Sequence, residues 1–335
     1  MSDVSSTNLQ ITLKSRPQGW VRETDFEMLE APMPQIGDGE VLLKTLYLSL
    51  DPYMRGRMDD SKSYAKSVDL GEVMVGGTVS EVVGSNAPGF KPGDVVVSSG
   101  GWQRYSKAAG ATVMKVPAGL PPSVFLGPAG MPGVTAWMGL FDIGQPKEGE
   151  TVVVSAASGA VGSVVGQLAK EKGCRVIGIA GGPDKCAYVT DVLGFDVCVD
   201  YKREDWFAEF KAATPDGVDV GFENVGGEVL DHVLRRVNAH ARVALCGLIA
   251  GYNQAEPMAL ANVRAILVNR VRLQGFIVSD QLPRWPEIIR ELAGRIASGK
   301  LKYRETIAEG LDKAPKAFIG LLKGENFGKQ LVKVA

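Results

Sequence analysis

Two histidines, His232 and His240, and four cysteines, Cys174, Cys186, Cys198 and Cys246, are the only residues of their kinds in 335, and no two cysteines sit in a short metal-binding spacing. A clustered Cys/His metal centre therefore lacks its usual pattern. A disulfide scaffold is disfavoured, and isolated cysteines in an α/β core read as small buried residues before they read as nucleophiles. Net charge is nearly absent too, at -1, which leaves no general attraction to nucleic acid or to an anionic membrane, although a local basic pocket stays open. No apolar run approaches the ~18 residues of a membrane span, and Met1 to Thr7 has neither the basic flank nor the apolar stretch of a secretory signal. These absences point to a cytoplasmic protein without nucleic-acid or membrane partners, its disorder confined at most to the first few polar residues.

At 335 residues the chain exceeds the ~250 at which a single core usually stops growing, so two domains are expected. The first part alternates β-branched runs with turn signals. Val41–Leu50, Val73–Val83, Asp94–Ser98 and Thr112–Val116 read as strands, the third opened by the Lys91–Asp94 turn. Near Gly130 the pattern changes. Pro132 suits the first turn of a helix that continues through Val134–Phe141 and ends by Gly144. Strands are then expected at Thr151–Ser155, Arg175–Ile179, Val197–Val199, Val218–Phe222, Arg242–Cys246 and Val271–Val278. Helix-length connections separate them, including Gly159–Lys172, which predicts a doubly wound, mostly parallel α/β sheet. Beyond it, Trp285–Ala297 reads as helix, Leu301–Ile307 as strand, Lys313–Leu322 as helix and Leu331–Val334 as a last strand, a tail expected to return to the first domain.

The segment AASGAVG, Ala156–Gly162, follows the first of those parallel strands and opens a helix. Small residues there let a backbone approach closely, so the turn through Ala157, Gly159, Ala160, Val161 and Gly162 can hold a diphosphate on its amides. Ala157 stands where the G-x-G-x-x-G pattern has its first glycine, so the local motif is weak and its βαβ context carries the reading. After the next strand, Ala180, Gly181 and Gly182 occupy the place where an NAD site presents an acid to the ribose. With no acid there, Lys185 can pair with a 2'-phosphate and Tyr201 can donate to it, favouring NADPH over NADH. Asp184 works against this if it faces the phosphate, and the plain alternative makes Lys185 a solvated lysine and Tyr201 a surface ring. FENVGG (Phe222–Gly227) and ALCGLIAGYN (Ala244–Asn253) put two further glycine loops at the same sheet end, with Asn224 a candidate cofactor contact or turn cap.

Together with DPYMRGRM (Asp51–Met58), GPAGMPGVTAW (Gly127–Trp137) and GENFGK (Gly324–Lys329), these segments resemble, over nearly the whole chain, the zinc-independent medium-chain dehydrogenase/reductase superfamily. Within it they resemble the prostaglandin reductase, alkenal double-bond reductase and bacterial curcumin-reductase-like group. The resemblance implies a discontinuous, mostly β GroES-like domain over residues 1–130 and 301–335 and a Rossmann-like NADPH domain over 131–300, with the active cleft between them. It assigns Lys185 and Tyr201 to the adenosine phosphate, Asn224 and Cys246 to the cofactor wall, Met131, Thr135 and Asn326 to the nicotinamide end, and Phe276 and Val278 to the wall beyond the last strand. It also suggests a homodimer.

The implied reaction passes the C4 hydride of NADPH to the β-carbon of a small conjugated ketone or aldehyde, after which the enolate is protonated. Tyr252, in the YN loop, is the leading group for the carbonyl or enolate and also a candidate cofactor contact, against a packing role. Tyr53 shapes the substrate side and Tyr64 lies on a neighbouring loop or in solvent. Asp51 and Arg55 read as a loop ion pair, and Met54 and Met58 as packing. Quinone reduction is the nearest alternative reaction, and a catalytically inactive NADPH sensor the alternative of a different class.

Overall fold

The computed structural model describes residues 7–335, so the expectation for the first polar residues falls outside the described part. The chain divides into two compact units. One holds the described residues up to Leu126 with Glu305–Asn326 and Gln330–Ala335, and the other holds Gly127–Arg304 with Phe327–Lys329.

The first unit is mostly antiparallel β. Strands β1 (Thr7–Leu13) and β2 (Phe26–Pro32) pair with each other. The larger sheet contains β3 (Glu40–Ser49), β4 (Thr78–Ser85), β5 (Val95–Ser98), β6 (Tyr105–Ala109) and β7 (Met114–Lys115). The pairing of β3 organises it: β4 runs along one edge, while β6 takes the Glu40–Lys44 half and the last strand the Tyr47–Ser49 half of the other. Two register shifts between β3 and β4 add the local bending that lets one strand serve three partners. Phe26 stacks on Trp102 at 5.3 Å between ring centroids, and Phe318, from the C-terminal helix Ala314–Leu322, meets the Trp102 ring edge-on at 5.6 Å. Three distant segments thus share one aromatic core.

The second unit carries β8 (Thr151–Ser155), β9 (Arg175–Ala180), β10 (Val197–Asp200), β11 (Val218–Glu223), β12 (Val237–Leu245) and β13 (Arg272–Gly275). They form one parallel sheet in the order β10-β9-β8-β11-β12-β13. Every residue of the central TVVVS strand is buried, as a parallel strand covered on both faces requires. This is the doubly wound order, with the chain reversing direction across the sheet between β8 and β11 and leaving a crevice at the carboxyl ends of those strands.

Several elements differ from expectation for local reasons. The run expected as strand from Val73 makes only an isolated bridge from Val73 to Thr12 before β4 begins at Thr78, and Thr112–Val116 contracts to two paired residues after a 3-10 turn. The helix begun at Met131 widens after Met138 into a π turn over Gly139–Gly144, where a Cβ on Gly139 would come within 2.6 Å of the Phe222 ring. β13 stops at Gly275, and Val278 opens a 3-10 segment containing Pro283. The strand expected from Leu301 starts at Glu305 as β14 (Glu305–Glu309). Lys302 instead gives its N–H to the Gln167 side chain at 2.8 Å and accepts from it at 2.9 Å, so an amide side chain takes the place of a strand partner. The last strand, β15 (Lys329–Lys333), closes the order β14-β15-β3.

Candidate functional site

The glycine turn lies where β8 meets the helix Gly162–Glu171. Ala156 takes the left-handed conformation (φ 50°) and its carbonyl accepts from Gly159 N–H at 2.9 Å. A Cβ on Gly162 would lie 2.4 Å from that same carbonyl oxygen, so only glycine brings the helix start against the turn. Ala157 is fully buried in place of the missing first glycine. The space it takes is released across the sheet: a Cβ on Gly178 of β9 would stand 2.9 Å from the Ala157 methyl. The turn therefore keeps its approach to the helix with its small residue moved one strand over. Ala160 and Val161 remain partly exposed ahead of the helix, whose Ser163, Val164 and Val165 N–H groups bond to the Gly159 and Val161 carbonyls, so that the positive end of the helix dipole, at the turn, suits an anion.

At the end of β9, Gly181 is covered by the Tyr201 ring. A Cβ there would meet that ring at 2.9 Å and the Lys202 chain at 3.0 Å. Lys185, half-buried in the helix Pro183–Ala187, has its ammonium held below the usual lysine range by burial and by the charge of Lys202. Burial also raises the Tyr201 phenol, keeping it a donor. Asp200, directly before Tyr201, accepts through Oδ1 from Gly182 N–H at 2.7 Å and Lys202 N–H at 3.1 Å. Lys202 is the member that sequence reading missed. Its position just after Tyr201 is visible in the sequence, but not its approach to Lys185.

The other two glycine loops are tied to β8 by one buried acid. Glu223, 2% exposed, accepts through Oε1 from the Ser155 hydroxyl at 2.8 Å, Val225 N–H at 2.6 Å and Gly226 N–H at 2.8 Å. Ser155 Oγ in turn accepts from Asn224 N–H at 2.8 Å, and the Asn224 side chain donates to the Ser155 carbonyl at 2.8 Å. Asn224 is thereby held at the crevice by its own side chain. Cys246 N–H donates to the Glu223 carbonyl at 2.9 Å, and burial pushes its thiol up to about 12, which leaves it little nucleophilic character. Nothing in the FENVGG pattern distinguished Glu223 from an exposed turn acid.

Tyr252 follows on the third loop, where its phenol oxygen accepts from Leu248 N–H at 3.3 Å. With Leu248, Gln254 and Met258 it lines a cavity of about 380 Å³. Thr135 is buried and donates to the Met131 carbonyl one turn back at 2.8 Å. Phe276 meets Phe222 edge-on at 6.4 Å, and the Val278 carbonyl accepts from the Trp285 indole at 3.1 Å. Gly328 pairs with Gly159 in an isolated parallel bridge, drawing Phe327–Lys329 onto the glycine turn. The Arg304 guanidinium lies 4.0 Å above the Phe327 ring, which meets Tyr188 edge-on.

In the first unit, Tyr53 and Tyr64 are brought together by Arg57, whose guanidinium lies 5.8 Å from the first ring and 4.3 Å from the second. Arg57 is buried and donates to the Ala65 carbonyl at 2.8 Å, while the Arg57 carbonyl accepts from Val68 N–H at 2.8 Å. It pins the connection carrying Tyr64, which is itself 58% exposed. Burial, then the charge of Asp51, holds the Tyr53 phenol well above its ordinary value, so it stays protonated. Arg55 pairs with Asp59 at 2.6 Å, and Ser49 donates to Asp51. Asn326 belongs to this unit and directly precedes Phe327 of the other. Sequence reading singled out both tyrosines but not Arg57, whose role depends on the loop folding back over it.

The residues present fit a dinucleotide: a turn whose glycine a Cβ would obstruct, a helix start for a diphosphate, and two lysines with a phenol at the ribose corner. Among the described residues, no group of three or more His, Cys, Asp or Glu side chains converges as a metal site, and no helix is long and apolar enough to cross a membrane.

Residues 9–116 match the family described as the N-terminal domain of oxidoreductase, and residues 160–294 match the one described as zinc-binding dehydrogenase. The chain is 49% identical to the NADPH-dependent curcumin reductase of Escherichia coli K12, covering 100% of this chain and 99% of that protein. It is 41% identical to the NADP(+)-dependent 2-alkenal reductase of Nicotiana tabacum, covering 98% of each. The crystal structure of CurA from Vibrio vulnificus in complex with NADPH superposes with a TM-score of 0.93 at 48% identity, covering 98% of this chain and 99% of that one. Likeness of this degree over the full length places the chain in the zinc-independent medium-chain dehydrogenase/reductase family, within its alkenal and enone reductase group.

Proposed function

We propose that this chain reduces the carbon–carbon double bond of α,β-unsaturated ketones or aldehydes with NADPH. The observation that carries the cofactor half is the corner at the end of β9, where Lys202 and Tyr201 cover a glycine, Lys185 feels the charge of Lys202, and Asp200 accepts from the Gly182 N–H. An NAD site puts an acid in that place; two cations and a phenol suit a 2'-phosphate. The substrate half rests on the full-length likeness to the curcumin and 2-alkenal reductases.

When bound, NADPH supplies the hydride that the β-carbon of the conjugated substrate accepts. The chain's own residues then have two tasks, to hold the carbonyl oxygen as charge develops on it and to deliver a proton to the resulting enolate. A phenol that accepts an amide N–H, as Tyr252 does from Leu248, is a better O–H donor for it, the property both tasks require. Tyr53, kept protonated by burial, adds an aromatic wall and a second donor on the substrate side. The Glu223 network has a positioning role, fixing the loops that present Asn224 and Tyr252.

Single-turnover product analysis with 4-deuterated NADPH and an unhindered enone tests the reaction class. The expected product is the saturated ketone with deuterium on its β-carbon. A quinol or an allylic alcohol as sole product across an enone, enal and quinone panel would overturn the reading, and NADPH binding without turnover across it would favour a sensor.

A further inference from the structure

Of the four thiols, two are built to stay inert. Cys174 is buried, donates to the Lys147 carbonyl at 3.2 Å and is pushed up to about 11 by burial; Cys246 is pushed higher still. Cys186 and Cys198 differ in facing each other. Both are partly exposed, and the Cys198 thiol donates to the Cys186 sulfur at 3.1 Å. They come from different elements, the short helix Pro183–Ala187 and the edge strand β10. A disulfide needs sulfurs ~2.05 Å apart, so closing this pair takes a movement of about 1 Å, small for a five-residue helix at a sheet edge. The bond donated by Cys198 lowers the Cys186 thiol, against burial and the charges of Asp200 and Glu209, marking Cys186 as the attacking sulfur.

We infer that Cys186 and Cys198 are a redox-active pair that a hydroperoxide converts to an intramolecular disulfide, and that this disulfide weakens binding of the cofactor's 2'-phosphate. In the first step the Cys186 sulfur attacks the peroxide oxygen and the O–O bond breaks. Sulfur is oxidised to a sulfenic acid, and the departing oxygen takes a proton to leave as water or an alcohol. In the second, the Cys198 sulfur attacks Cys186, the S–O bond breaks, and the hydroxide leaves as water with the Cys198 proton. Two thiols and one hydroperoxide thus give one disulfide, one water and one water or alcohol.

The consequence for the cofactor rests on the reading of Lys185 and Tyr201 given above. Cys186 directly follows Lys185, and Cys198 lies three residues before Tyr201 on the strand whose Asp200 accepts from Gly182 N–H at 2.7 Å. Drawing the sulfurs together moves the first turn that carries Lys185 relative to the phenol. By linkage, bound NADPH slows the oxidation to the extent that oxidation weakens NADPH.

The full chain is treated with one equivalent of hydrogen peroxide, alkylated and cut with trypsin. Cleavage after Lys185 and after Lys202 releases Cys186–Lys202, which holds both sulfurs and no internal Lys or Arg. The expected peptide carries no alkyl group and is two hydrogens lighter, while Cys174 and Cys246 are alkylated as before. Recovery of that peptide doubly alkylated, or with Cys186 as sulfinic acid and Cys198 alkylated, overturns the pair. C198S is expected to accumulate a sulfenic acid at Cys186 that a dimedone probe traps. Titration should then show NADPH binding weakened roughly fivefold or more in the oxidised chain and restored by dithiothreitol, with NADH and the C186S variant unaffected by peroxide. Unchanged NADPH affinity in the disulfide form overturns the regulatory half. Failure of the cofactor reading looks different: the reduced chain would not distinguish NADPH from NADH, whatever the peptide mass.

Discussion

Replacing Lys185 by glutamine tests the ribose corner most directly. The side chain is half-buried and its ammonium is already disfavoured by burial and by Lys202, so its charge is maintained at a cost that an incoming phosphate relieves. A hydrogen bond to a charged partner contributes roughly 1.5–3 kcal/mol. At about 1.4 kcal/mol per tenfold, K185Q should weaken NADPH binding roughly ten- to hundredfold. NADH, which has no 2'-phosphate, should bind the variant as it binds the parent. K202Q should cost less, because Lys202 is exposed and water and salt screen its charge. The pH dependence has a definite sign. In the empty site Lys185 loses its proton below the ordinary lysine value of 10.5, so the NADPH advantage over NADH fades with rising pH earlier than a free lysine would allow. Quenching of intrinsic fluorescence, titrated with both cofactors at two ionic strengths, measures all of this. An equal loss for NADPH and NADH, or none for either, would refute the assignment of this corner to the phosphate.

Three further outcomes are expected. Y252F should lower kcat for an enone about a hundredfold, the scale of a single general acid, with the NADPH dissociation constant unchanged; a loss confined to thermal stability would assign the ring to packing. Because a Cβ on Gly162 falls 2.4 Å from the Ala156 carbonyl oxygen, G162A should lose about 1–3 kcal/mol of stability by overpacking, read as the urea midpoint, and should weaken both cofactors alike. Burial holds the Glu223 carboxyl above its ordinary 4.5 despite the donors on Oε1. Between that value and the raised one the folded chain keeps a proton that the unfolded chain has released, so this group makes stability fall as pH rises through the window. E223Q keeps an acceptor oxygen for the same donors and should flatten that slope, which denaturation at a series of pH values would measure.

Much of the second unit was legible because its signals are local. The run Thr151–Ser155 is apolar throughout because both faces of a central parallel strand are covered, and the glycine turn must follow it for the helix to start where it does. The helix expected at Trp285–Ala297 coincides with the observed one, since its apolar residues Ile288, Ile289, Leu292 and Ile296 repeat at helical spacing. In the first unit the signals were weaker. β2 exposes Glu27, Met28 and Glu30, so no apolar alternation advertises it, and Thr7–Leu13 is held as a strand by β2 on one edge and by bridges from Gln10 and Thr12 to Gln103 and Val73, all distant in sequence.

Lys185, Tyr201 and Asn224 could be singled out from the residues because each lies shortly past the end of a parallel strand, and Tyr252 through the resemblance of its YN loop. Their fine roles were set by partners far away in the chain. Ala157 is tolerable because Gly178 has no side chain, and Asp200 Oδ1 is taken up by the Gly182 and Lys202 N–H groups. Arg57 became a hub only when the Tyr64 loop folded over it, and Cys186 met Cys198 only when the helix settled on the edge strand. By itself the sequence determined the fold class, since periodicity and turn chemistry act between near neighbours, and the resemblance of its motifs gave the family. Tertiary structure alone decided which charges, thiols and rings face one another, because those pairings form between residues that no local pattern links.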